Sequence, residues 1–374
     1  MLNFTTAGES HGKAFVVIIE GMPAGIKISL QKIQEDLKKR SNDFGRGARG
    51  SMESDRVIVL SGIRGHRTIG SPVALMIEND DFKNWKNKTL PVTRPRPGHA
   101  DLAGMQKFGF TDARNVIERA SARETVARVA AGAVFRQFLQ EFGIEIASHV
   151  IRIGNVKLNK QASFKQIKEV FSRDPEIRCI DPATSKKMKQ AITNARLKKD
   201  TLGGILEVCA VNVPPGLGGF SGFADRFDGQ LAQALMSIPS VKTVEIGNSV
   251  ENISRSGSEF HDVILFNKNK GFFRKTNNAG GIEGGVTNGM PIVARLFHKP
   301  IPTLYNPLET VDVNTKKTVK ADIERSDVCI VPRAGVVAES MMAFVISQNL
   351  IKNFGGDNMA DILNSFQNFL TRIK

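Results

Sequence analysis

An α+β fold carried by one large domain over 1–374 is what the sequence predicts, and three observations predict it. Strand-like apolar runs alternate with amphipathic helices along the chain. No stretch rich in Ser, Pro and Gly separates one part from another. A faint internal repeat relates two halves: Gly12–Gly25 and Gly204–Gly216 both read as a strand and a proline–glycine turn, each followed by a helix. With 374 residues, 41% of them hydrophobic and 24% charged, the chain can bury a sizeable core and intrinsic disorder is excluded.

Taken in order, Ala14–Ile19 is an apolar run of strand length. Leu30–Arg40 is a helix with Leu30, Ile33 and Leu37 on one face. Strands follow at Arg56–Leu60 and Pro72–Ile77. Ser121 and Glu124, three residues apart, form a capping-box pattern that starts a helix over Ala122–Phe142, and Gly143 closes it. Then come a strand at Gly143–Ile153, helices at Phe164–Arg173 and Ser185–Lys199, and a strand at Ile205–Val213. A helix at Ala224–Ile238 precedes strands at Val241–Ile246, Val263–Phe266, Pro291–Phe297 and Asp327–Val331. A last helix, Ala338–Phe354, is closed by Gly355.

Composition narrows the function classes. No apolar run reaches the roughly 18 residues of a membrane span, and Glu9, Ser10 and His11 come before any signal-peptide core could form. The expectation is a soluble, cytoplasmic protein with no membrane partner. Cys179, Cys209 and Cys329 are far apart with no CxxC, which reads as reduced thiols. No HExxH or clustered Cys/His set is present, so no metal site is expected. A net charge of +15 implies an anionic partner, whether nucleic acid, an acidic surface or phosphorylated small molecules. Residues 151–200 hold thirteen Lys/Arg against five acids, a run that a solvated helical face accounts for.

The arginines and histidines set among glycines carry more information. His11 lies in the loop Thr6–Gly12, flanked by Ser10 and Gly12, where little bulk shields it from a ligand. Arg40, Arg46 and Arg49 sit in a glycine-containing stretch at a helix C-terminus. There Arg40 can act as a dipole-complementing charge, and the other two have the setting of phosphate ligands. In Arg94–Asp101 two prolines stiffen a segment bearing Arg94, Arg96, His99 and Asp101. Arg119–Ser121 opens a helix whose free N–H groups can form an anion site, a reading that competes evenly with the capping role of Ser121. Asn277–Gly285 is an exposed-backbone loop suited to a flat or phosphorylated cofactor, without the spacing of GxGxxG or a P-loop. Lys299–Thr303 offers a rigid lysine and a hydroxyl, and Arg325 and Asp327 either face a pocket or pair with each other. His66, His149, His261 and His298 lack such surroundings and read as structural.

In order along the chain, GESHG at Gly8–Gly12, RPGHAD at Arg96–Asp101, RASARET at Arg119–Thr125, ALMSI ending at Ile238, AGGIEGG at Ala279–Gly285 and RSD at Arg325–Asp327 resemble the motifs of the chorismate synthase family. Two departures are visible. Ala113–Glu118 stands where some members have a run of glycines, and Ile301-Pro302-Thr303 stands where others have serines.

The resemblance implies a β-α-β sandwich of the chorismate synthase type, here with the internal pseudo-repeat. It implies conversion of 5-enolpyruvylshikimate 3-phosphate to chorismate by anti-1,4-elimination of phosphate, with reduced FMN and no net redox change, in a homotetramer. Carried over by motif, the FMN contacts fall at Arg119, Ala120, Ser121, Pro239, Ser240, Gly284, Lys299, Pro300, Ile301, Pro302, Thr303 and Arg325. Arg40 and Arg46 match arginines associated with NADPH and the substrate phosphate. The catalytic roles go to His11 at the phosphate, His99 at the reduced flavin and Asp327 in proton traffic near flavin N5. NADPH is the candidate reductant. In the absence of a recognisable reductase segment, an external flavin reductase is the favoured partner.

Two alternatives compete, an NADPH-dependent flavin reductase and a basic nucleic-acid-binding protein. One Trp and one Tyr, with no aromatics interleaved among the basic loops, argue against base stacking, so no nucleic acid is expected.

Overall fold

Two antiparallel sheets enclose a layer of helices in the computed structural model, which describes residues 1–45, 55–85, 90–268, 271–324 and 326–373. The first sheet is built from β1 (Asn3–Ala7), β2 (Ala14–Glu20), β3 (Val57–Ser61) and β4 (Val73–Glu78), in the order β1-β2-β4-β3. The second contains β5 (Glu145–Ile153), β6 (Val156–Lys157), β7 (Gly204–Val211), β8 (Val241–Ile246) and, later in the chain, Ile292–His298. Before that last strand a hairpin intervenes, β9 (Ile264–Asn267) with β10 (Gly271–Arg274), so Ile292–His298 is β11 and the second sheet runs β8-β11-β7-β5-β6. All these pairings are antiparallel.

Besides short helical turns, the helices are α1 (Leu30–Ser41), α2 (Asp101–Phe108), α3 (Arg114–Ala120), α4 (Thr125–Gln140), α5 (Phe164–Arg173), α6 (Pro182–Leu197), α7 (Phe227–Met236), α8 (Val331–Phe354) and α9 (Met359–Arg372). α4 packs on the first sheet and on α8, and α8 packs on β5 and β7 of the second. Alternation in the strands follows from this layering. Phe15, Val17 and Ile19 of β2 and Leu206, Val208 and Ala210 of β7 turn inward, and one hydrophobic cluster runs from Leu2 to Phe366. α8 is apolar on nearly all sides because both its faces are covered. It is long and apolar enough to cross a membrane, yet 78% of its apolar window is buried inside the fold.

The pseudo-repeat has a structural counterpart. β2 and β7 are each an interior strand of their own sheet, and each is followed by a helix of the middle layer. Within the helical layer Arg136 of α4 bonds Glu339 of α8 at 2.6 Å and also pairs with Asp36 of α1, which leaves a buried charge balanced on two sides.

Several boundaries differ from the sequence reading. Asp327–Val331 is not a strand: α8 begins at Val331 with Pro332 in its first turn, where a fixed φ and a missing N–H cost nothing. The Ser121/Glu124 capping box does not form either. Ser121 Oγ accepts from the Arg123 N–H at the head of a 3₁₀ turn, Ala122–Glu124, and the α-helix proper starts at Thr125. The Glu124 carboxylate instead accepts from Thr6 Oγ1 at 2.8 Å and from Arg128. α6 starts at Pro182 rather than Ser185, with Asp181 as its cap. β1, β6, β10, α2, α3 and α9 were not expected from the sequence.

Candidate active site

The loop between β1 and β2 brings His11 against the end of α3. The His11 backbone N–H donates to Glu118 Oε2 at 2.8 Å, and its ring Nδ1 lies 2.6 Å from Glu118 Oε1. Asn79 Nδ2 donates to the carbonyls of Ser10 and Gly12, which pins the loop. The His11 ring lies on the indole of Trp85, with centroids 3.8 Å apart and an interplanar angle of 38°, and the Trp85 Nε1–H donates to Asp81 at 2.9 Å. Burial pushes the Glu118 carboxyl up, but the hydrogen bonds from His11 outweigh it and hold the group below the usual range.

A second histidine is held in the same manner. His99 Nδ1 lies 2.5 Å from Asp101 Oδ1, at the start of α2. Asp101 is fully buried and takes three N–H groups from Arg96: the backbone N–H at 3.0 Å, Nε at 2.8 Å and Nη2 at 3.0 Å. Burial disfavours its charge, yet the bonds from His99 and Arg96 keep this carboxyl well below the usual range. Arg96 Nη1 continues to Thr303 Oγ1 at 2.8 Å, and Lys299 Nζ donates to the Gly98 carbonyl. Burial, with the like charge of Lys242 adding to it, lowers the Lys299 ammonium.

Between these segments lies a cavity of about 490 Å³, within the roughly 300–1,000 Å³ of small-molecule pockets. His11, His99 and Asp327 all border it, as do Arg40, Ala120, Ser121, Pro239, Ser240, Lys299, Ile301, Pro302 and Thr303. Pro300, Arg119 and Gly284 do not. Arg119 is half exposed and donates to Thr6, and Gly284 lies in the tight turn of the hairpin 282–287. Arg46 and Arg325 lie outside the described residues.

Arg40 is engaged structurally as well as lining the cavity. Its Nε donates to Thr125 Oγ1 at 3.1 Å, and it pairs with Asp55, which also holds Arg123 at 2.5 Å. Burial raises the Asp55 carboxyl, and the guanidinium groups of Arg123 and Arg40 more than reverse it. Asp327 faces Arg333 at 2.9 Å, and Arg333 also donates to Asp43, a carboxyl that burial raises despite that partner.

The lining is cationic, with Arg40, Arg96, Arg123, Lys299 and Arg333 against Glu324 and Asp327. Flat or apolar surface comes from Trp85, Ile117, Pro239, Ile301, Pro302 and Tyr305. That donor set fits a planar, phosphorylated cofactor beside an anionic substrate. Ser240 is held in a left-handed conformation, φ 73°, and bonds the buried His298 at 2.9 Å, so one histidine read as structural supports the cavity wall.

Trp85, Glu118, Arg123 and Arg333 were missed from sequence. For Glu118 the signal lay in the departure at Ala113–Glu118. Arg333, at the start of α8, was hidden by reading the preceding residues as a strand. A larger cavity, about 620 Å³, opens between α1, α4, α5 and β5 and contains none of the expected residues.

A family profile described as chorismate synthase matches residues 2–351. A chorismate synthase of Caldicellulosiruptor bescii is 48% identical over 98% of each chain. One of Alkaliphilus metalliredigens is 46% identical over 99% of each, and one of Aquifex aeolicus is 46% identical over 100% of this chain and 98% of the relative. A solved structure described as "Crystal Structure of Chorismate Synthase" superposes with a TM-score of 0.82 at 39% identity, over 100% of this chain and 98% of that one.

Proposed function

The chain belongs to the chorismate synthase family and is a lyase that removes phosphate in forming chorismate, and from that premise we propose that the cavity between His11 and His99 binds reduced FMN and 5-enolpyruvylshikimate 3-phosphate together. The observation that carries this reading is the meeting of both histidines, Asp327 and five Lys/Arg side chains around one cavity.

Bound reduced flavin supplies transient electron density to an elimination whose C6 hydrogen is weakly acidic. The chain's own residues supply the rest. Two carboxylates and two phosphates need a cationic enclosure, and Arg40, Arg96, Arg123, Lys299 and Arg333 provide it. His11 meets the phosphate as it leaves with the electron pair of the C3–O bond. His99, held by the buried Asp101, would face the bound flavin, and Asp327 would handle a proton near its N5. Ala120, Ser121, Pro239, Ser240, Lys299, Ile301, Pro302 and Thr303 form the flavin wall. Arg119, Gly284 and Pro300, off this cavity, and Arg325 complete the set carried over by motif.

We further infer a homotetramer. Its support is exposed apolar surface on the β9–β10 hairpin, where Ile264, Phe266 and Phe272 are 59%, 57% and 67% exposed. NADPH is the candidate reductant, with Arg40 and Arg46 as its arginines, and an external flavin reductase is the favoured source of electrons. A cytoplasmic location agrees with three buried, unpaired cysteines.

The test is anaerobic. Purified protein, chemically reduced FMN and 5-enolpyruvylshikimate 3-phosphate should give chorismate and phosphate in equal amounts, with the flavin still reduced at the end. Oxidation of NADPH in the absence of the phosphorylated substrate, with no chorismate formed in its presence, would instead identify a flavin reductase.

A further inference from the structure

Both histidines that border the cavity have a carboxylate on Nδ1, at 2.6 Å for His11 and 2.5 Å for His99, but the two carboxylates are not equivalent. Asp101 already receives three N–H groups from Arg96, so a full positive charge stands against it whatever the state of His99. The Glu118 carboxylate takes its hydrogen bonds from His11, one from the ring and one from the backbone. Arg114, whose charge also lowers the Glu118 carboxyl, is itself bonded to Glu324 at 3.0 Å.

We infer that Glu118 is a positioning residue that fixes Nδ1 of His11 as the nitrogen bearing hydrogen and keeps the ring positively charged toward the departing phosphate, a charge-setting part that Asp101 does not play for His99. The assignment rests on the reading of His11 as the residue at the substrate phosphate.

Three features favour an imidazolium at His11. The Glu118 carboxylate faces the ring nitrogen directly, at 2.6 Å. The indole of Trp85 lies flat enough on it, at 3.8 Å, to attract a cation. The backbone bond to Glu118 also fixes the main chain, so the ring cannot turn away without breaking two contacts. Among the described residues, the cations that act against it are each engaged by another group. From α1 and the 3₁₀ turn come Arg40 and Arg123, both paired with Asp55. Under Trp85 lies Asp81, another anion. Across the cavity, Arg96 and His99 are held by Asp101, Arg333 pairs with Asp327 and Asp43, and Lys299 is bonded to a carbonyl. Glu9 lies beside Gly12 on His11's own loop. With Nδ1 bound to the carboxylate, proton exchange with a phosphate runs through Nε2, on the opposite side of the ring.

Trp85 is the only tryptophan in the chain, so its fluorescence reports the ring stacked on it without any cofactor present. A protonated imidazole quenches a stacked indole. The experiment is a pH titration of the apo protein, comparing wild type, Glu118→Gln, Glu118→Asp and Asp101→Asn, with His11→Gln to identify the transition. The expected result is a quenching transition that His11→Gln abolishes. Glu118→Gln should move its midpoint down by about 1–3 pH units, the effect of a lost adjacent charge. Glu118→Asp, which keeps the charge, should move it less, and Asp101→Asn should leave it within about 0.3.

Nitrogen-resolved NMR of the wild-type imidazoles, which needs no variant to fold, should find hydrogen on Nδ1 of His11 at neutral pH. In the loaded enzyme, Glu118→Gln should lower kcat about 10–100-fold with KM nearly unchanged, and the alkaline limb of kcat should move with the fluorescence midpoint. A midpoint that Glu118→Gln leaves in place, or a hydrogen on Nε2 alone in the wild type, overturns the proposal. So does a shifted midpoint with unchanged kcat. Because the fluorescence needs neither flavin nor substrate, a failure of the lyase reading would show separately, as absent turnover with the titration intact.

Discussion

Arg96 Nη1 donates to Thr303 Oγ1 over 2.8 Å, and this bond joins the two proline-stiffened segments that line the cavity. Thr303 is almost fully buried, so no solvent replaces the hydroxyl if it is removed. Thr303→Val keeps the shape and deletes the acceptor, leaving a buried guanidinium N–H without its partner. The expected cost is about 1–3 kcal/mol in stability, measured by urea unfolding, with Thr303→Ser close to wild type. A valine variant as stable as the serine one would mean that the two segments are held by packing alone.

Asp101 makes a stability prediction with a defined pH window. Burial opposes its ionisation, yet His99 and Arg96 hold the folded carboxyl below its unfolded value. A depressed carboxylate contributes stability that is present above the unfolded pKa, about 3.9, and is lost as pH falls through the folded value. Wild-type stability should therefore drop on acidification below about pH 4, and Asp101→Asn should flatten that part of the profile. At pH 7 the variant should be less stable by about 3–5 kcal/mol, because Arg96 is left as an uncompensated buried charge. Parallel acid profiles for the two proteins would contradict this account.

Much of this site was legible in the sequence because its chemistry sits in polar segments where glycine or proline shapes the backbone. His11, His99 and Lys299–Thr303 stand out there against the apolar periodicity of the core, and the structure gathers them, Pro300 excepted, around one cavity. Trp85 was not legible, since its part depends on a contact with a ring 74 positions earlier in the chain. Glu118 stood only as the end of the departure at Ala113–Glu118, and the fold is what sets it beside His11. The errors in the fold are local in origin. Val328–Val331 has the composition of a strand, but Pro332 suits the first turn of a helix, and that signal was the better one. α9 does show its period, with Met359, Ile362 and Phe366 buried on one face, so it was missed rather than hidden.

His298 carries the opposite pH signature from a salt-bridged histidine. Burial pushes its imidazole down to about 4, so the folded protein keeps it neutral where the unfolded chain, near 6.5, takes up a proton. Its contribution is present above about pH 6.5 and is lost as pH falls toward 4, by up to about 3 kcal/mol. Because His298 also bonds Ser240, charging it disturbs the cavity wall. The difference in unfolding free energy between wild type and His298→Gln should change sharply between pH 7 and 4. A constant difference over that range would show that His298 takes up its proton equally in the folded and unfolded states.

Gly132 is remote from the cavity, yet its substitution should reach the site. A Cβ at Gly132 of α4 would stand 2.2 Å from the Cβ and 2.6 Å from the Cα of Ser340 in α8, so the two helices cross too closely for any side chain. Gly132→Ala must force them apart, and overpacking of this kind costs about 1–3 kcal/mol. α4 has little freedom to absorb the displacement, because its other face packs on β2 and β4. The movement would be transmitted along the helix to Thr125, which accepts from Arg40, and to the 3₁₀ turn carrying Ser121 and Arg123. Gly132→Ala should therefore lower both Tm and kcat/KM. Adding Ser340→Gly removes the nearer obstacle and should recover part of each, although glycine in a helix has its own cost of about 1 kcal/mol. If Tm falls while kcat/KM stays at the wild-type value, the α4–α8 crossing stabilises the fold without setting the geometry of the cavity.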